Sequence, residues 1–196
     1  MDILLELATT FWQWSVLIVL ILIGFVISWF DGQGEQRVGF SMPFGMPVLQ
    51  PIPIETKDKG FWKGILLWLL GTRKWEVAED FWFQLEGQGY MIPAGFQFDG
   101  ASVAKFLATF LSPVGVLLIG GLVHDYGYKY ATLLHDDGTT MGYRNQAHWD
   151  RIFRDICIEV NGFKFLNYLA YWTLRLAGFV AWNGHKKRGT HVKEKS

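Results

Sequence analysis

Four residues of this 196-residue chain combine into a recognisable chemical set: Asp99, His124, Asp125 and Asp150. Carboxylate oxygens with one imidazole suit Zn²⁺, Mn²⁺ or Mg²⁺, so a divalent metal is the cofactor such a set implies. In a metal-dependent hydrolase built this way, His124 is ligand or general base, Asp99 and Asp125 are ligands or orienters, and Asp150 is a further ligand. Arg144 is then the electrophilic partner for an anionic substrate. Ser102 offers a nucleophile with His124 as its base, although no Gly-x-Ser-x-Gly elbow surrounds it. The competing reading is structural: His124 and Asp125 form a buried network with Arg144 and Asp150, tying helices together through charge-assisted hydrogen bonds. Exposure separates the two, because a catalytic cluster opens to a pocket whereas a structural one is sealed and fully paired.

The elements that must position these residues follow from patterning. Trp75 to Gln84 alternates partly as a strand, Gly87-Gln88-Gly89 is a turn and Tyr90-Met91-Ile92 returns, giving a small antiparallel meander. Phe96-Gln97-Phe98 is a short strand that stops at Asp99-Gly100, and Ser102 is placed to cap a helix over 103–111. Ser112-Pro113 opens a second helix, Val114 to Val123, that delivers His124-Asp125 at its end. Lys129 to Thr140 reads as a polar loop. Tyr143 to Val160 is an amphipathic helix with Ala147, Ile152, Phe153, Ile156 and Val160 on its stripe, and Asn161-Gly162 ends it. Phe163 to Trp182 is the last helix, with Arg175 in its middle. The fold class is therefore α+β: a small antiparallel sheet followed by a mainly helical core.

Ile-Pro-Ala-Gly-Phe-x-Phe-Asp-Gly-Ala-Ser at 92–102, followed by His124-Asp125-Tyr126-x-Tyr128, resembles the phage and prophage family catalogued as domain of unknown function 1353. The resemblance runs from about Trp75 to Gly184 and includes Arg144, Asp150-Arg151-Ile152-Phe153 and Tyr171 to Gly178. Where that family continues Asp-Gly-Ala-Ser with Ile-Pro-Arg, this chain has Val103-Ala104-Lys105. The resemblance implies a fold and a candidate site but no reaction. The His-Asp dipeptide is also similar to that of metal phosphohydrolases, but those require a further histidine upstream and none precedes His124.

Phe11 to Phe30 is a twenty-residue uncharged run, the length a helix needs to span a bilayer, with Trp12, Trp14, Trp29 and Phe30 at its ends. It predicts an uncleaved anchor, because Asp2 and Glu6 precede it without Lys or Arg. Arg37, Lys57, Lys59 and Lys63 follow it, which favours a single-pass protein with its domain on the cytoplasmic side of a virion membrane or host inner membrane. The expected division is an N-terminal segment over 1–10, the anchor over 11–30, a Pro/Gly-rich linker over 31–59, the domain over 60–184 and a basic tail over 185–196.

Composition narrows the partners. Hydrophobic residues are 51% of the chain and aromatics 17%, which excludes a disordered class. Lys plus Arg equals Asp plus Glu at 18 each, so nucleic acid is not an expected partner. The lone Cys157 excludes an internal disulfide framework and a cysteine zinc site. Gly115-x-x-x-x-Gly120 lacks the Lys-Ser/Thr of a phosphate loop. Two classes remain: a non-catalytic virion or host-membrane component that contacts lipid and other envelope proteins, or a membrane-tethered hydrolase acting on an envelope or lipid-linked substrate.

Overall fold

The computed structural model describes residues 12–31, 37–54, 57–70, 74–99 and 117–192; Ser102 and the helix expected over 103–111 lie outside them. In chain order the elements are α1 (Trp12–Asp31), β1 (Phe40–Ser41), β2 (Leu49–Ile52), α2 (Phe61–Leu70), β3 (Lys74–Val77), β4 (Phe81–Leu85), β5 (Gln88–Ile92), β6 (Gln97–Phe98), α3 (Leu118–Tyr130), β7 (Leu134–His135), α4 (Gln146–Asn161), α5 (Lys164–Ala177) and α6 (Phe179–Lys187). The architecture is α+β with antiparallel sheets, as the patterning predicts. One sheet runs β1-β4-β5-β7 and the other β2-β3-β6.

Alternation along β4 turns Phe81, Phe83 and Leu85 inward while Trp82 and Gln84 are half-buried. β4 pairs with β5 across the Glu86-Gly87 turn, with Leu85 opposite Gln88 and Phe83 opposite Tyr90. The Pro-rich stretch expected to be a linker supplies two strands instead. Phe40 pairs with Leu85 and buries in the core, and Leu49 pairs with Val77. Pro51 is tolerated there because β2 lies at the edge of its sheet. The expected polar loop after Lys129 likewise contributes β7, paired through Tyr90 and His135.

The sheets and helices share one apolar core in which Phe83, Ile92, Phe96 and Phe98 meet Leu122, Val123 and Tyr126 of α3 and Trp149, Ile152 and Ile156 of α4. α3 does not stop at His124-Asp125 but runs on to Tyr130, so both residues sit mid-helix. Gly120, His124 and Gly127 recur at i, i+4 and i+7 and share a face. A Cβ on Gly120 would collide with Cys157 Sγ, and one on Gly127 with the Trp149 ring. These two bare positions flank His124 and let α4 approach closely enough for Asp150 to reach its imidazole.

The uncharged N-terminal run does form helix α1. The single-pass membrane location expected of it is corrected, because among the described residues no helix is long and apolar enough to cross a membrane. α1 lies along α5, where Gly24 is buried and an added Cβ would sit 2.7 Å from the Phe165 carbonyl oxygen. Part of the apolar surface read as lipid-facing is thus an internal helix contact. The last expected helix is two, since the chain turns at Gly178 into α6, which buries Trp182. The tail then folds back, with the Val192 amide donating to the Tyr130 carbonyl at 2.9 Å.

Candidate functional site

Asp150 is the fixed point of the site. It is fully buried on α4, and its carboxylate accepts from four side chains on three helices. Oδ1 takes the Tyr128 hydroxyl at 2.5 Å and His124 Nε2 at 3.1 Å. Oδ2 takes Arg175 Nη1 at 2.8 Å and Gln146 Nε2 at 3.5 Å. Burial alone would raise Asp150, but the hydrogen bonds from His124, Tyr128 and Arg175 outweigh it and hold the group below the usual carboxylate range. Burial and the Asp150 charge push the Tyr128 hydroxyl up, so it stays a donor.

His124 lies between two carboxylates, with Nε2 on Asp150 and Nδ1 3.5 Å from Asp125 Oδ1. Its ring stacks on Tyr128 at 3.9 Å between centroids and meets the edge of Phe153. Burial works against a charge here, yet the hydrogen bonds to Asp125 and Asp150 prevail and raise its pKa. A carboxylate oxygen thus faces each ring nitrogen, an arrangement that favours the protonated imidazole over the neutral one.

Asp125 differs from Asp150 in every respect that matters for chemistry. Its side chain keeps 14% of its surface exposed, and Oδ2 is buried without a hydrogen-bond partner among the described residues. Burial pushes Asp125 up to about 7; His124 opposes that, and the charge of Asp99 adds to it. Asp99, directly after β6, is the neighbouring carboxylate whose charge acts on it. Both line a cavity of about 540 Å³, walled by Phe96, Phe98, Val180 and Ala181 and flanked by Lys74, Lys129 and His185. Burial lowers His185, and the nearby Arg188, His191 and Lys129 lower it further.

The structure brings together Asp99, His124, Asp125 and Asp150 of the sequence set; Ser102 lies outside the described residues. Arg144 is not in this group: it is exposed, donates to the Tyr143 carbonyl at 3.2 Å and lines a separate cleft. Arg175 occupies the place expected for it. A lone arginine in an otherwise apolar helix was the available signal, since a charge there requires a partner. The ligand set expected for a divalent metal does not fit either. Among the described residues no three His, Cys, Asp or Glu side chains are grouped to hold one; four side chains donate to Asp150, and a carboxylate faces each nitrogen of His124.

The model of the family described as protein of unknown function (DUF1353) matches residues 75–174, from β3 to near the end of α5. The chain belongs to this family. In this DUF1353 domain the matched span contains Asp99, His124, Asp125, Asp150 and Tyr128 but stops one residue short of Arg175. No curated protein and no solved structure matches the chain.

Proposed function

We propose that the DUF1353 domain is an acid–base hydrolase whose working groups are Asp99 and Asp125. The observation that carries this reading is that Asp125, whose buried Oδ2 has no hydrogen-bond partner among the described residues, lines an open cavity together with Asp99. One proton held between two carboxyls leaves one to take a proton from water while the other donates to the substrate's carbonyl oxygen or leaving group. Two carboxyls sharing one proton can activate water and protonate a carbonyl oxygen together, so acyl-type bonds are the favoured class. His124 lines the cavity beside Asp125 and holds Asp125 Oδ1, and Asp150, which does not line it, is a positioning residue that acts through His124.

The test is a panel of ester, amide and glycoside substrates, assayed with the full chain and with Asp99→Asn and Asp125→Asn. Each substitution is expected to lower kcat by about 10²–10⁴-fold, with wild-type activity bell-shaped in pH. Hydrolysis that survives both substitutions, or a folded wild-type protein inert to every class, would overturn the proposal.

A second reading, a structural or interaction component, has its own observation. The outward side of α1 exposes Ile18, Leu22, Phe25, Val26, Trp29 and Phe30, a larger apolar face than isolated surface residues create. Under that reading the face docks another protein, and charged substitutions at Leu22 and Val26 abolish an association visible by light scattering.

A further inference from the structure

We propose that the cleft at the start of α4 binds a phosphate-class oxyanion. The cleft, about 270 Å³, is lined by Tyr143, Arg144, Asn145, His148 and Arg151. It shares no residue with the cavity holding Asp99 and Asp125.

Both arginines are exposed and, among the described residues, both are tied only to the backbone: Arg144 Nη1 donates to the Tyr143 carbonyl at 3.2 Å and Arg151 Nε to the Ala147 carbonyl at 3.4 Å. The ion pairs among the described residues involve neither. Most of the five donors on each guanidinium thus have no protein acceptor there, and that fork matches the oxygens of a phosphate. Between them stands His148, whose Nε2 is buried with no partner. Burial, then the charges of Arg144 and Arg151, lower its pKa to about 4, so it is neutral at pH 7 and able to donate one N–H.

The helix makes this arrangement costly without a ligand. α4 has sixteen residues and no acidic residue in its first turn. Cations here face the positive end of the helix dipole, which favours negative charge. An oxyanion bridging the arginines reverses that repulsion and accepts from His148. Asn145 already caps the His148 amide at 3.0 Å, so the turn is set before any ligand arrives.

The experiment follows the His148 imidazole by NMR in the full chain while inorganic phosphate replaces chloride at constant ionic strength. A saturable shift is expected, with the His148 pKa moving up as the anion neutralises its neighbours. Arg144→Gln and Arg151→Gln are each expected to weaken binding about tenfold, the effect of losing one charge-assisted hydrogen bond. Without phosphate Arg144→Gln should melt no lower than wild type, because it removes a cation from the helix start. A phosphate group arrives either on a soluble molecule or on a lipid headgroup. Co-sedimentation with phosphatidic acid vesicles in phosphatidylcholine, alongside a weak response to inorganic phosphate, assigns the second; the reverse assigns the first. A His148 signal indifferent to phosphate, or a shift unchanged in both arginine variants, would overturn the proposal.

Discussion

Replacing Asp150 by Asn removes one charge and few atoms, so its effect isolates what that buried carboxylate contributes. In the wild-type protein it accepts from Tyr128, His124, Arg175 and Gln146. Asn turns one acceptor oxygen into a donor and leaves Arg175 and the His124 imidazole with a neutral partner. Removing one member of a buried ion pair costs roughly 3–5 kcal/mol. Arg175 keeps about a third of its side chain exposed, so solvent screens its share and most of the loss comes from His124 and Tyr128. At roughly 2–4 °C per kcal/mol for a domain of this size, Tm at pH 7 should fall by about 6–20 °C. The pH dependence has a definite sign. Asp150 is depressed in the folded state, so its stabilisation is complete above the ordinary carboxylate pKa and lost as pH falls through the folded value. Thermal unfolding followed by circular dichroism should show wild type losing that increment in acid and Asp150→Asn showing no such loss. A variant melting within about 2 °C of wild type at pH 7 would refute the reasoning, since even 1 kcal/mol produces that shift.

Asp125 carries the opposite sign. Its folded pKa is raised to about 7, so stability declines as pH rises from the ordinary carboxylate range towards 7. Asp125→Asn should flatten that decline in chemical-denaturation curves collected across the window. Gly127→Ala would drive a Cβ into the Trp149 ring, and overpacking of this kind costs about 1–3 kcal/mol, measurable as a lowered urea midpoint. Burial pushes the Cys157 thiol up, so a thiol reagent should label it only at the rate at which the protein opens.

The sequence made the site legible where local rules govern. Phe96-Gln97-Phe98 alternates and stops at a turn residue, which is enough to place Asp99 at a strand end. The 143–160 stripe and Asn161-Gly162 are enough to place Asp150 on a helix with a left-handed stop at Gly162. What local pattern does not contain is how helices cross. Arg144 is six residues from Asp150 and Arg175 is twenty-five away, yet the packing of α5 against α4 selects Arg175. The α3–α4 approach rests on Gly120 and Gly127, and a position with no side chain leaves no local pattern to mark it as a contact. Similarly, the 11–30 run has the length of a membrane span, and only tertiary placement shows Gly24 seated on α5. Short edge strands such as Phe40–Ser41 take their structure from the partner strand, so the Pro-rich stretch offered little sign of them.

The central claim is that Asp125 holds a proton near neutral pH because of burial and Asp99, and the ¹³C carboxyl signal of Asp125 reports it directly. In wild type that signal should titrate near 7, and in Asp99→Asn it should titrate lower, since the neighbouring negative charge is gone. Titration of Asp125 in the ordinary carboxylate range, or a value unmoved by Asp99→Asn, would contradict the account.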